Sequence, residues 1–174
     1  MGVGHRLAAV CLAAIAAAAC GPVEPEPGSG QSPCDVFPGD PRYAVAHVDR
    51  VVDGDTIEVT LGGRQQRVRY IGIDAPESVK PDSPVEYYGP EASEHNKKLV
   101  GGRDICLEKD VSETDRFGRL LRYAYLGDTF VNDKMIRDGY ARAVTFPPDV
   151  RHVDQLREAE REAREAGRGL WGQP

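Results

Sequence analysis

Between Tyr43 and Ile73 apolar residues recur in three short alternating runs separated by turn-forming residues, a pattern that commits this stretch to neighbouring antiparallel strands. Val45, Val48, Val51 and Val52 mark the first run, with imperfect alternation. Asp53-Gly54-Asp55-Thr56 turns the chain. Ile57, Val59 and Leu61 then alternate with Glu58 and Thr60, and Gly62-Gly63 makes a hairpin turn. Val68, Tyr70 and the Ile71/Ile73 pair form a third strand in which Gly72 suggests a bend or bulge. Three consecutive short strands make a meander that must curl.

The remaining periodicity closes this sheet rather than starting another. Residues 78–88 are polar and proline-bearing and read as a loop. Pro90 and Glu91 suit the first turn of a helix with Ala92, Leu99 and Val100 on its apolar side, ended by Gly101-Gly102. Ile105 and Leu107 share one face of a fourth strand, which puts Cys106 on the other. After a charged turn over residues 114–119, residues 120–126 form a fifth strand. Asn132 is expected to cap a short helix that ends before Gly139, with Met135 and Ile136 inward. A last helix over residues 150–166 carries Val153, Leu156, Ala159, Ala163 and Ala166 on one stripe, and Leu170 and Trp171 pack its end back on the domain. Five strands, with one helix before the fourth and two after the fifth, predict an α+β fold: a five-stranded barrel of the oligonucleotide/oligosaccharide-binding (OB) type with three α-helices.

The N-terminal region reads differently. Arg6 precedes an apolar run too short to span a bilayer comfortably, and the run ends in Ala17-Ala18-Ala19-Cys20-Gly21. Residues 1–20 are expected to be an export signal ending at a lipoprotein-type cysteine, with Cys20 lipidated and seated in a membrane; simple secretion is the alternative. Residues 21–42 hold six of the thirteen prolines and read as an extended linker, with the folded domain over residues 43–172. Beyond Cys20, Cys34 and Cys106 remain, either as a disulfide tying the N-terminal segment to the domain or as two unrelated thiols.

A formal charge of −6 argues against bulk attraction to nucleic acid, so phosphate binding would have to come from a local positive focus. Such a focus is available where Arg69 leads into Asp74 and Glu77, one strand beyond the Asp53-Gly54-Asp55 turn. Asp55 and Asp74 could seat a divalent cation, and without nearby His or Cys the donor set is hard, suiting calcium or magnesium rather than zinc. Glu77 could accept a proton from an attacking water, and Arg69 and Arg119 could brace a phosphate and neutralise its growing charge. Each residue also has a plainer reading, as turn former, loop acid or surface ion-pair partner.

Taken together, Asp53-Gly54-Asp55-Thr56, the run Arg69-Tyr70-Ile71-Gly72-Ile73-Asp74-Ala75-Pro76-Glu77, Tyr88-Gly89-Pro90-Glu91-Ala92-Ser93, Asp115-Arg116-Phe117-Gly118-Arg119 and Gly169-Leu170-Trp171 resemble the staphylococcal nuclease (thermonuclease) family in order and approximate spacing. The resemblance covers about residues 43–172. It implies a calcium-dependent phosphodiesterase that acts on DNA and RNA and leaves 3′-phosphates. By the same resemblance Asp55, Asp74 and the carbonyl of Ala75 hold calcium, with Asp53 in the outer coordination sphere. Glu77 is the general base or water-orienting group, and Arg69 and Arg119 bind the scissile phosphate. The sequence departs from the family's pattern at Ala75 for threonine, Phe117 for tyrosine and Arg116 for lysine. In Thr145-Phe146-Pro147-Pro148 the tyrosines that stack on the nucleotide base are missing. The competing classes are a noncatalytic binding module of the same fold, which would lack the five charged residues, and a structural envelope lipoprotein, which would leave the acidic corners unexplained. Nothing in the sequence points beyond a monomer.

Overall fold

The structure, a computed structural model, describes residues 1–2, 32–78 and 86–172; the export signal, Cys20 and most of the 78–88 loop lie outside these residues. From Ser32 onward the elements are β1 (Tyr43–Val51), β2 (Thr56–Leu61), β3 (Arg64–Tyr70), β4 (Ile73–Asp74), α1 (Gly89–Val100), β5 (Asp104–Glu108), β6 (Leu120–Leu126), β7 (Thr129–Phe130), α2 (Val131–Arg137), β8 (Arg142–Ala143) and α3 (Val153–Glu165), followed by a 3-10 turn at Gly169–Trp171.

The meander forms as expected, and β1 does double duty. Its first half pairs with β5, from Tyr43↔Glu108 to His47↔Asp104, and its second half pairs with β2, ending at Val51↔Ile57. The register shifts between Val48 and Arg50, where the Val48 N–H turns away to the carbonyl of Arg103 at 2.9 Å. An extra residue at such a point bends the strand, and the bend lets β1 serve two walls. β5 pairs antiparallel with β6, and β6 runs parallel to β3 through Val68↔Leu120 and Tyr70↔Arg122, closing a five-stranded barrel. Val48, Ile57, Val59, Val68, Tyr70, Ile105 and Leu107 fill the interior with essentially no solvent exposure.

The third strand does not continue to Ile73. Gly72 adopts φ +77° and redirects the chain, so Ile73 and Asp74 leave the barrel and pair with Ala143 and Arg142 in a separate two-stranded sheet. A side chain at position 72 would also meet Leu156 Cδ1 at 2.4 Å, which lets α3 pack against this bend. Nor does Asn132 cap α2. It lies inside the helix, fully buried, where its Oδ1 accepts the Ala124 N–H at 2.9 Å and its Nδ2 donates to the Ile71 carbonyl at 2.8 Å. α3 is shorter than its stripe, burying Leu156, Ala159 and Ala163 while Ala166 lies beyond its end and exposed.

Packed chain begins before Tyr43. Cys34 and Cys106 form a disulfide with Cα atoms 5.0 Å apart, and Phe37 stacks on Tyr43 with ring centroids 3.9 Å apart. Cys106 does face away from the interior side of β5, as alternation required, and this segment is what covers it.

At the same end of β1 and β5 lies Glu108, shielded from solvent entirely. Its Oε2 accepts hydrogen bonds from Tyr125 Oη at 2.8 Å and from His152 Nε2 at 2.9 Å, and its Oε1 faces Arg151 Nε at 3.2 Å and Arg42 Nη1 at 3.7 Å. Burial alone would raise the Glu108 carboxyl. The bonds from His152 and Tyr125 outweigh it and hold the group below its usual value of 4.5. His152 stands just ahead of α3, so this cluster fixes the start of that helix on the barrel.

Candidate active site

The acidic corner is assembled where β2 begins and β3 ends. In the turn over residues 53–56, the Asp55 N–H donates to Asp53 Oδ1 at 3.0 Å, and both Val52 and Asp53 donate N–H to the Thr56 carbonyl. The turn is seated on α1, because Asn96 Nδ2 donates to the Asp53 carbonyl at 3.0 Å while Tyr70 Oη donates to Asn96 Oδ1 at 3.2 Å. Full burial raises the Tyr70 phenol far beyond neutral pH, so it remains a donor. Gly54 allows the approach: a Cβ there would lie 2.5 Å from the Ala75 Cβ and 3.0 Å from the Ala92 Cβ.

Arg69 brings the two candidate ligands together. Its Nη2 lies 3.0 Å from Asp55 Oδ2 and 3.1 Å from Asp74 Oδ1, and its Nη1 donates to the carbonyls of Ile73 at 2.8 Å and Tyr70 at 3.1 Å. The Ala75 N–H completes the set by donating to Asp55 Oδ2 at 2.9 Å. The two carboxylates differ sharply in setting, the Asp55 side chain being 8% exposed and that of Asp74 58%. Burial pushes the Asp55 carboxyl up to about 7; Arg69 opposes the shift and Asp53 adds to it. A group in this state gains from added positive charge.

Among the described residues no three His, Cys, Asp or Glu side chains converge as a metal-holding group. A cation here would therefore use Asp55, Asp74 and backbone oxygen, with water and substrate oxygens making up the rest. An all-oxygen, partly open set of this kind fits calcium, which takes 6–8 oxygen ligands in adaptable geometry. Asp53 sits behind the pair, bonded to backbone.

Glu77 and Arg119 occupy a second wall. Asp115 accepts N–H groups from Phe117 at 2.9 Å and Arg119 at 3.0 Å through Oδ1, and its Oδ2 takes Arg119 Nε at 2.7 Å. Burial would raise Asp115, yet these bonds lower it, so it stays ionised and orients Arg119. Arg119 and Arg69 line one cavity of about 390 Å³ with Ile73, Asp115, Phe117 and Phe146. Arg119 also borders an adjoining groove of about 620 Å³ that contains Glu77, Arg67 and Arg116. The structure thus joins Asp55, Asp74, Ala75 and Arg69 directly and sets Glu77 beside Arg119, the arginines linking the two walls.

Four contributors were not singled out from sequence. Asp115 lies in a motif already quoted, and its spacing of four from Arg119 was the available signal. Arg67 shares the outward face of β3 with Arg69, which strand alternation could have shown. Phe146, 67% exposed at the mouth of the cavity, and Asn96, fully buried beneath the turn, are placed by tertiary packing alone.

Residues 67–173 match the family described as staphylococcal nuclease homologue. The chain is 41% identical over 124 residues to a thermonuclease of Staphylococcus hyicus, an alignment spanning 71% of this chain and 73% of that protein. It is 38% identical over 143 residues to a thermonuclease of Staphylococcus intermedius, spanning 82% and 85%. Endonuclease YncB of Bacillus subtilis is 40% identical over 126 residues, spanning 71% of this chain and 60% of that protein.

The chain belongs to the staphylococcal nuclease family. As a staphylococcal nuclease homologue it is a nuclease, a hydrolase whose substrates are nucleic acids. The family match begins inside β3 and takes in Arg69, Asp74, Glu77 and Arg119. Asp55 precedes it and joins the site through its contacts with Ala75 and Arg69, and Asp53 through the bond it accepts from the Asp55 N–H.

Proposed function

We propose that this nuclease is a calcium-dependent phosphodiesterase that hydrolyses DNA and RNA, cutting the bond to the 5′ oxygen and leaving 3′-phosphates. The observation that carries the reading is the single cavity shared by Arg69 and Arg119, flanked on one side by the Asp55–Asp74 pair and on the other by Glu77.

A phosphodiester entering between the arginines meets two guanidiniums. Asp115 already holds Arg119 through Nε, so its terminal nitrogens can meet phosphate oxygens without further reorganisation. Water attacks phosphorus in line with the 5′ oxygen, Glu77 takes the proton, and the 5′ oxygen departs and is protonated from solvent. Charge accumulates on the equatorial oxygens, and fixed guanidiniums stabilise it more than they stabilise the ground state. Calcium, when held by Asp55, Asp74 and the Ala75 carbonyl, supplies further positive charge to the same oxygens. Phe117 and Phe146 give the neighbouring base an apolar surface in place of the missing tyrosines, and stacking on such rings contributes about 1–3 kcal/mol per base.

The setting we propose is outside the cytoplasm, with Cys20 as a lipid anchor at a membrane and the domain acting as a monomer. A closed Cys34–Cys106 bond supports an oxidising compartment. The test is hydrolysis of denatured DNA and of RNA by the full-length protein with calcium and with a chelator, beside Glu77→Gln and Arg119→Ala. Calcium-dependent cleavage that collapses in both variants, with 3′-phosphate ends, is expected. A folded, calcium-supplied protein that cuts neither substrate would instead favour the noncatalytic module.

A further inference from the structure

We infer that Asn96 is a positioning residue of the cation seat: oriented by Tyr70, it fixes the turn that carries Asp55 and so sets how tightly calcium is held. This rests on the reading of the Asp55–Asp74 corner as a calcium site.

The inward face of α1 points to such a role. Its buried residues are Gly89, Ala92, Asn96 and Val100, three of them too small or too polar to supply much apolar area. What the face touches accounts for the choice. A Cβ at position 89 would lie 2.6 Å from the Glu77 carbonyl oxygen, and one at position 54 would lie 3.0 Å from the Ala92 Cβ. Further along, Asn96 Nδ2 donates to the Asp53 carbonyl at 3.0 Å. One helix face therefore bears on the main chain of both acidic segments, at Glu77 and at the 53–56 turn.

Asn96 is the costly member of that face. Burying an amide is unfavourable unless its hydrogen bonds are made, and an apolar side chain of similar volume would have packed here without that demand. Both ends of the amide are used, because Oδ1 accepts Tyr70 Oη at 3.2 Å. Asn96 and Tyr70 are sealed from solvent, so the phenol has this acceptor to serve, and its donation leaves Nδ2 facing Asp53. The main chain of Tyr70 is tied to the site as well. Its N–H donates to the Asp55 carbonyl at 2.9 Å, and its carbonyl accepts Arg69 Nη1 at 3.1 Å. The carbonyls of Asp53 and Asp55 are thus both committed within the fold, and the turn is left to offer carboxylate. A turn already held in one orientation spares a cation the cost of ordering it, which is how groups behind metal ligands raise affinity.

Affinity and stability together separate this role from packing. Calcium binding to the full-length protein would be measured by isothermal titration calorimetry without substrate, beside the melting temperature. Asn96→Leu should raise the calcium Kd about tenfold, the lower end of the range for groups behind metal ligands. It should also lower the melting temperature, since the Tyr70 hydroxyl loses its partner. Adding Tyr70→Phe removes that unpaired hydroxyl, so the double variant should regain much of the melting temperature while its Kd stays about tenfold raised. Val100→Ala, on the same face of α1, should lower the melting temperature by leaving a cavity and leave the Kd unchanged. In hydrolysis, Asn96→Leu should need about tenfold more calcium for its half-maximal rate, with kcat at saturating calcium within about twofold of the wild type. A Kd that follows the melting temperature across these variants, or that none of them moves, would overturn the inference and make Asn96 a packing residue. A wild type that binds no calcium would instead overturn the calcium reading, and the inference with it.

Discussion

Asp55 and Glu108 are both buried beside arginine, and they are in opposite states. Glu108 receives hydrogen bonds from Tyr125 and His152 and faces Arg42 and Arg151, and its carboxyl is held below the ordinary value. Asp55 shares its one arginine with Asp74 and has Asp53 beside it, and burial drives it up to about 7. Burial and a nearby arginine therefore do not mark a functional acid. What marks it is charge left uncompensated, because only such a group has free energy to gain from a ligand. Glu108 is satisfied by the fold; Asp55 is left for something the fold does not supply.

That contrast can be broken by experiment. The largest effect is expected at the acidic corner: Asp55→Asn should cut kcat about 10³-fold, the scale on which charge-stabilising groups act, while the melting temperature holds or rises as an unfavourable buried charge is removed. A variant that lost both would make Asp55 structural in the way Glu108 is. Next comes the staple beside Glu108. Replacing Cys34 and Cys106 together by serine should cost about 2–4 kcal/mol in urea denaturation, because the segment carrying Phe37 and Arg42 is freed; activity per folded molecule should persist.

Glu108→Gln should cost about 2 kcal/mol, since the paired cations lose their counter-charge but two of them are partly exposed. Its signature is the pH profile. A carboxyl whose folded value lies below its unfolded value of 4.5 contributes fully above pH 4.5 and loses that contribution as pH falls through the lower folded value. Stability measured between pH 6 and 3 should therefore fall less steeply in Glu108→Gln than in the wild type. Smallest is Phe146→Ala, which should raise KM for single-stranded DNA several-fold with little change in kcat, the mark of a contact made equally in ground and transition states.

How much of this was legible beforehand follows the range of the physics involved. Alternation in β1, β2 and β3, the Gly62-Gly63 turn and the opposite facing of Cys106 and Ile105 are local, and the structure repeats them. β4 and β8 are two residues each and carry no periodicity, so Ile73 was read as a continuation of β3. Asn132 offered the signal of a helix cap, yet its amide bridges β6 and the residue after β3, contacts that exist only once the barrel has closed. Composition made residues 32–42 part of a linker, and a disulfide and one stacked ring pair sufficed to pack them. In the site, residue types and motif spacing were readable. The division of labour was not, since Arg69 looked like a phosphate ligand and also proves to clamp the two aspartates.

The staple between Cys34 and Cys106 also changes how the molecule would carry tension. With a sequence separation of 72, it short-circuits the covalent path between the ends of the chain. A pull on the N-terminus passes from residue 34 directly into β5, and everything between, including the meander, α1 and the acids at 53, 55, 74 and 77, drops out of the line of force. A pull between the two ends of the chain would therefore run around the acidic corner rather than through it. Arg119, which follows β5 in the chain, stays in that path.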